Sequence, residues 1–406
     1  MPQVRVESIA AGGDGVGRLD GLAVFVPRTA PGELVDVAVQ QRGRMARGRL
    51  LSVVEASADR VEPRCRHYDG DHCGGCQLQH LSSESQLAAK QRIVQDAFAR
   101  IAKRPVGLPP IVRSPAEWEY RSRLTLVMRW QHGTWVMGLH SFDVVDRVFD
   151  LRECPIAHPQ VVAAWSAVRN ASRLLPRVAE LRGTIRLIGS DLALILEGGE
   201  AWSSSREFAD AVPQVNVIRW LPSRGAQRVI VDRRDAGTPV ESFDQVNQPV
   251  AIAARRELIE RALAGSPQTA VDAYAGLGAT ARELASAGVR VIAIEMDAHA
   301  SHHTASHLPS GSRAVAGRVE DLLPQFLPAD VIVLNPPRAG IDARVATALQ
   351  SAPRPRKVLY MSCDPATLAR DVSRLPSYRV NSLRAYDMFP QTAHVEVVCE
   401  LLPEEA

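Results

Sequence analysis

The chain has 406 residues with a formal net charge of +3, 46% hydrophobic and 23% charged. That is the balance of a globular protein with room for two or three cores. No apolar run approaches the ~20 residues that span a bilayer, and residues 1–10 carry Arg5 and Glu7 where a secretory signal needs an apolar core, so we expect a cytoplasmic protein with no membrane attachment. So small a net charge neither demands nor excludes a nucleic-acid partner, because binding depends on where the charge sits.

Strand patterns at 4–9, 23–27, 34–40 and 50–54, punctuated by glycines at 12, 13, 15, 17, 21 and 32, predict a small N-terminal β-barrel. Between the last two strands, Arg42, Arg44, Arg47 and Arg49 could meet a phosphate backbone, although a solvated loop accounts for them equally well. Cys65, Cys73 and Cys76 follow, then a helix over 82–102 that stops before Pro105. Residues 120–196 mix strands at 123–129, 135–139, 144–149, 185–188 and 192–196 with a helix at 159–175, which predicts an α+β middle domain containing Cys154. Residues 224–239 read as a polar connection.

From residue 245 onward strands at 270–274, 289–295, 330–334, 357–361 and 395–401 alternate with helices, the rhythm of a doubly wound, mostly parallel sheet. Ligands of such sheets lie beyond the carboxyl ends of the strands. Asp272-Ala273-Tyr274-Ala275-Gly276-Leu277-Gly278 closes the first strand with a glycine turn, and Glu295 closes the next, where a carboxylate can accept from ribose hydroxyls. The pair favours a nucleoside cofactor over a merely tight turn. The third strand runs into Asn335-Pro336-Pro337-Arg338. Asn-Pro-Pro before an aromatic residue is how many enzymes hold an exocyclic amine for methylation; Arg338 lacks the aromatic face, but amine methylation stands as a rival reading.

Cys363 favours the other reading, methylation of a ring carbon. It follows a strand, and Asp364 and Pro365 suit the N-cap and first position of a helix, so its sulfur sits at a helix N-terminus, which favours a thiolate. Carbon 5 of uracil is a poor nucleophile until a thiolate adds to carbon 6 and makes the ring an enolate. A base must then take the proton from carbon 5. Glu396 is the candidate, with His394 as a second; Cys399 reads as core, which is also the bland alternative for Cys363.

These residues resemble the RNA uracil-5-methyltransferase family. Ser362–Asp371 is similar to its nucleophile motif Ser-Cys-Asn-Pro-x-Thr-x-x-Arg-Asp, with Asp364 in place of Asn. Residues 389–396 are similar to Phe-Pro-x-Thr-x-His-x-Glu, and residues 243–247 to Phe-x-Gln-x-Asn. Asn335 stands where the family has Asp, and Ala275 where it has Cys. The resemblance implies Cys363 as nucleophile, Glu396 as proton acceptor, and S-adenosylmethionine bound near Gln245, Tyr274, Glu295 and Asn335. It implies three domains: an OB-like TRAM barrel at 1–58, a central α+β domain at 59–240 with Cys65, Cys73, Cys76 and Cys154 holding a 4Fe–4S cluster (zinc being the alternative), and a Rossmann-like methyltransferase domain at 241–406. The partner is structured RNA, with 23S rRNA favoured over tRNA; Arg121, Arg123 and Arg129 are candidates to face it, or else a solvated sheet face, and no obligate protein partner is inferred. A third reading, a non-catalytic RNA-binding factor, rests only on the Asn335 and Ala275 departures.

Overall fold

A computed structural model describes residues 1–144, 146–234 and 245–404. Five strands open it: β1 (Gln3–Ile9), β2 (Gly15–Leu19), β3 (Leu22–Val26), β4 (Leu34–Arg42) and β5 (Met45–Glu55), closing into a barrel in the order β1-β2-β3-β5-β4. Alternate residues Val4, Val6, Val24, Val26, Val35 and Val37 fill it, as period-two patterning requires. The sequence pattern missed β2 because its glycines hide the alternation. A β-carbon at Gly17 would strike the Arg5 carbonyl and Val4, so glycine is what lets β2 lie against β1. The arginine stretch is not a loop: β4 and β5 run through it as one hairpin, with Arg42 opposite Met45 and Gln40 opposite Arg47, and all four arginines are exposed on it.

The middle of the chain contributes α1 (Arg66–Gly70), α2 (Ser83–Ala97) with a π-helical turn at Phe98–Ala102, β6 (Ile111–Val112), β7 (Arg123–Gln131), β8 (Thr134–Gly138), α3 (Pro159–Asn170), β9 (Glu180–Ile188), β10 (Asp191–Glu197), α4 (Ser205–Ala211), β11 (Val217–Leu221) and β12 (Arg228–Asp232). Six of these strands form a sheet ordered β12-β11-β10-β9-β7-β8. Leu124, Leu126 and Met128 of β7 pack with Val161 and Trp165 of α3 and Phe208 of α4. Residues 144–149, read as a strand, give only a bridge between His140 and Val148, and the supposed connection at 224–239 contains β12.

The third layer comprises α5 (Gln248–Leu263), β13 (Thr269–Ala273), α6 (Ala279–Ser286), β14 (Arg290–Glu295), α7 (Ala298–Ala305), β15 (Arg313–Ala316), α8 (Val319–Leu322), β16 (Val331–Leu334), α9 (Ala343–Gln350), β17 (Lys357–Ser362), α10 (Pro365–Ser373), β18 (Tyr378–Tyr386) and β19 (Glu396–Pro403). Its eight strands lie in the order β15-β14-β13-β16-β17-β19-β18-β6. β13 to β17 are mutually parallel, and β19 enters antiparallel between β17 and β18. Two segments far upstream complete this layer. β6 pairs with β18, and Val94, Phe98 and Ala102 share a core with Leu368, Val372 and Tyr378. The sequence-based limit at 240/241 falls outside the described residues.

Candidate active site

The parallel strands β13, β14, β16 and β17 end side by side, and the residues singled out in the sequence follow those ends. After β13, Tyr274 adopts a left-handed φ of 64°, which starts the glycine turn. Glu295, at the end of β14, closes that turn: one carboxylate oxygen accepts from the Gly276 amide at 2.8 Å and the other from Asp297 at 2.9 Å. Gly278 has φ 70° and lies against Thr304, buried on α7; any β-carbon there would run into the threonine side chain. Beneath the turn, Asp272 is buried with one oxygen unpartnered among the described residues, and burial, reinforced by Glu295, pushes its carboxyl up to about 7. The Asn335 amide donates to Ala273 O at 3.4 Å, joining the ends of β16 and β13. Gln245 accepts from Gln248 Nε2 through its carbonyl, and Ser122 holds the neighbouring Val246 carbonyl by amide (2.9 Å) and hydroxyl (3.1 Å). Phe243 and Asp244 of the same motif lie outside the described residues.

Cys363 lies between β17 and α10. Asp364 caps the helix as its sequence position suggested, one carboxylate oxygen accepting from the Ala366 and Thr367 amides at 2.9 Å each. The expected depression of the thiol does not follow. Cys363 is half-buried, and burial first, then the Glu396 carboxylate, push its thiol above the ordinary value, while Arg338, by its charge and a hydrogen bond, pulls it back. Burial is the main reason, and Asp364, which occupies the helix-end amides, adds a smaller push by its negative charge.

Ser362 on β17 pairs with Val397 on β19, which brings Glu396 opposite Cys363. Glu396 is 1% exposed, one carboxylate oxygen has no hydrogen-bond partner among the described residues, and burial pushes its carboxyl up to about 8. His394 is exposed and its ring meets Phe389 edge-on at 5.8 Å. Cys399 is fully buried in the core, as expected.

Sequence reasoning gave no role to Arg338, Tyr360, Thr367, Arg370 or Asp371. Together they hold the Asn-Pro-Pro-Arg loop against α10. Asp371, fully buried, accepts from the Ile341 amide (2.9 Å) and Tyr360 hydroxyl (2.7 Å); Arg370 donates to Ala339 O (2.6 Å) and Thr367 to Arg338 O (3.2 Å). The available signal was an aspartate on the apolar face of an amphipathic helix, a position that demands a partner.

Residues 310–403 match the tRNA (uracil-5-)-methyltransferase family and residues 3–51 the TRAM domain. Over 98% of its length the chain is 31% identical to 98% of the 23S rRNA (uracil(1939)-C(5))-methyltransferase RlmD of Thiobacillus denitrificans. An uncharacterised RNA methyltransferase of Thermosynechococcus vestitus is also 31% identical, over 98% of this chain and 97% of its own. The chain belongs to the RNA uracil-5-methyltransferase family. The tRNA (uracil-54, C5)-methyltransferase of Pyrococcus abyssi, solved with S-adenosyl-L-homocysteine, shares its fold at a TM-score of 0.73 and 22% identity, covering 99% of this chain and 100% of that one. The protein is thus an RNA uracil-5-methyltransferase that uses S-adenosylmethionine, with an N-terminal TRAM barrel and a C-terminal methyltransferase fold. The amine-methylation and non-catalytic readings give way to it.

In this methyltransferase Cys65, Cys73, Cys76 and Cys154 are free thiols. Cys65 precedes α1 at the N-cap position and its amide donates to Gln79, while the Gly75 amide donates to Cys73 Sγ at 3.4 Å. Burial raises all four thiols, Cys73 and Cys154 up to about 11, and charge on one raises its neighbours further, so they converge on one region. Among the described residues no three His, Cys, Asp or Glu side chains close up enough to hold a metal ion, so the thiols are a convergent donor group and not a finished ligand set. Their chemistry suits a sulfur-ligated centre. Of the middle-domain arginines, Arg129 is paired with Glu180 at 2.6 Å, and Arg121 donates to the Arg123 carbonyl. No helix among the described residues is long and apolar enough to cross a membrane.

Proposed function

We propose that this methyltransferase modifies carbon 5 of a uridine in 23S rRNA, with Cys363 as nucleophile and Glu396 as base. The observation that supports the reading is the β17–β19 register, whose next step beyond Ser362–Val397 is Cys363 and Glu396, together with the Glu396 charge that acts on the Cys363 thiol. The Cys363 thiolate, steadied by Arg338, adds to carbon 6 of the flipped uracil, forming a C–S bond and leaving the electron pair on carbon 5 as an enolate. S-adenosylmethionine, when bound, supplies an electrophilic methyl on its sulfonium. Tyr274, Glu295, Asn335 and Gln245 are the residues we assign to holding it, Glu295 through the carboxylate lone pairs left beside the glycine turn. The Glu396 carboxylate then takes the proton from carbon 5, the C–S bond breaks and the thiolate returns to Cys363. The unpartnered, buried Glu396 oxygen suits a group that must bind a proton in a dry pocket.

Division of labour follows the three proposed domains: residues 1–58 and 59–240 meet the RNA by shape and phosphate contacts, with the exposed arginines of the β4–β5 hairpin among them, and residues 241–406 carry the chemistry. Cys65, Cys73, Cys76 and Cys154 are assigned to a 4Fe–4S cluster that would tie α1, the Gly74-Gly75 loop and the Cys154 turn together, a structural task, since methyl transfer moves no electrons between centres. Iron, sulfide and zinc analysis of protein purified without oxygen tests this, and zinc in place of iron refutes it. RNA carrying 5-fluorouridine tests the mechanism: fluorine cannot leave as a proton, so a covalent complex through Cys363 accumulates. Absence of the adduct, with turnover retained by Cys363→Ala, would dismiss it. The Thiobacillus relative, a 23S rRNA methyltransferase, favours rRNA, and the Pyrococcus neighbour, a tRNA methyltransferase, keeps tRNA as the second reading. Mapping 5-methyluridine in both RNAs, with and without the protein, separates them.

A further inference from the structure

The motif Phe-Pro-x-Thr-x-His-x-Glu leaves position 391 open, yet Gln391 is where three parts of the chain meet. It is 3% exposed and has a left-handed φ of 69°, a conformation ordinarily given to glycine. Its amide donates to Gln86 Oε1 at 2.9 Å, and its side-chain oxygen accepts from Gln86 Nε2 at 2.9 Å. Gln86 lies on α2 and is itself anchored to the Leu81 carbonyl. The Gln391 carbonyl accepts from the Gln77 and Leu78 amides, at 3.2 and 3.0 Å, in the segment that directly follows Cys76. Gln77 grips the loop a second time, its side-chain oxygen accepting from the Ala393 amide at 3.4 Å.

The flanking residues are fixed in the same way. Tyr120 donates to the Pro390 carbonyl at 2.9 Å, and Lys90, buried and paired with Asp387, donates to the Phe389 carbonyl at 3.0 Å. The whole turn from β18 to β19 is therefore clamped from upstream, and β19 opens on Glu396 only five residues after Gln391. Glycine would satisfy the backbone at 391 without strain but would forfeit the amide side chain. A non-glycine residue held at positive φ in a buried turn beside reacting groups points to a side chain the turn needs.

We propose that Gln391 is a positioning residue: through Gln86 and Gln77 it fixes the turn that sets Glu396 against Cys363, and it ties that turn to the cysteine-bearing segment. The proposal rests on the reading of Glu396 as the base. Cys363 hangs on β17 and α10, outside this clamp, so thiolate addition and methyl transfer survive loss of the clamp while proton removal slows. A methylated RNA–protein adduct then persists.

The experiment compares wild type with Gln391→Gly, Gln86→Ala, Gln86→Ala/Gln391→Gly and Glu396→Gln on ordinary uridine RNA, reading unfolding midpoint, kcat, KM and covalent adduct on denaturing gels. Gln391→Gly is expected to unfold at or near the wild-type midpoint, keep KM for RNA, lose about tenfold or more in kcat and accumulate adduct. Gln86→Ala removes both bonds between the two glutamines, where Gln391→Gly removes only the one made by the Gln391 side chain, so it should do the same to an equal or greater extent, and the double variant should lose no more than Gln86→Ala. A purely packing role would lower the folded fraction without trapping adduct. Wild-type kcat and no adduct in Gln391→Gly, with adduct in Glu396→Gln, overturns the inference and leaves the base assignment standing; wild-type turnover in Glu396→Gln removes the base assignment instead. Should Gln391→Gly fail to fold, Gln86→Ala, which keeps the Gln391 backbone, decides alone: wild-type kcat without adduct overturns the inference.

Discussion

Glu396→Gln removes a carboxyl that the fold keeps almost entirely from water, and its effect on stability can be worked out before any activity is measured. Burial raises Glu396 from the ordinary 4.5 to about 8. The folded chain therefore holds this proton more tightly than the unfolded chain does, so the stabilising contribution is complete below about pH 4.5 and drains away as the pH climbs to about 8. At about 1.4 kcal/mol for each tenfold change in proton affinity, the ceiling on that loss is ~5 kcal/mol. Entry of water beside an ionised carboxylate relieves part of it, and we expect ~2–4 kcal/mol to be measured. Glutamine keeps the shape and cannot ionise, so the variant and the wild type should have similar urea midpoints in mild acid and diverge with rising pH, the variant being the more stable at pH about 8. Parallel curves across that range would refute the burial argument. If Glu396 is the base as proposed, the same ionisation governs turnover: kcat/KM of the wild type should rise through the same pH range, with the raised Cys363 thiol adding to the acid-side deficit.

Arg338→Leu removes the cation that pulls the Cys363 thiol back down, so the pH dependence of 5-fluorouridine trapping should move to the alkaline side; an unmoved profile would deny Arg338 that role. Gly278→Ala places a methyl group into Thr304 at a left-handed position and should cost ~1–3 kcal/mol in the cofactor turn, read as at least tenfold weaker S-adenosylhomocysteine binding by calorimetry. Lys90→Met leaves the Asp387 carboxylate buried without its partner and should lower stability by ~3–5 kcal/mol, with Asp387→Leu in the same chain recovering much of the loss; a double variant no better than the single one would contradict the pairing.

Much of this was readable from residue order alone, for reasons that differ by region. The parallel strands ending at Ala273, Glu295, Leu334 and Ser362 are short, apolar and bounded by turn residues, so periodicity locates them. The cap at Asp364 is local chemistry and was found. Two strands near the sheet's ends were not: β18 carries Arg379, Asn381, Ser382 and Arg384, which break the apolar run, and β15 is four residues long. The thiol of Cys363 was misjudged because the burial that raises it, and the Glu396 carboxylate 33 residues away that adds to the rise, exist only once the sheet forms. Gln391 was invisible for the same reason: its partners Gln77 and Gln86 lie more than 300 residues upstream.

The way β6 and α2 complete the last sheet bears on how this enzyme can be taken apart. A fragment beginning at Gln245 would retain every proposed reacting group but leave the edge of β18 unpaired and uncover the apolar surface that Val94, Phe98 and Ala102 shield. Such a piece has an open strand edge beside a bare hydrophobic patch, a template for self-association. Ribosomal synthesis meets the difficulty in reverse: the early segments emerge first, and the face of α2 that bears Val94 must wait, half-packed, for the sheet that covers it.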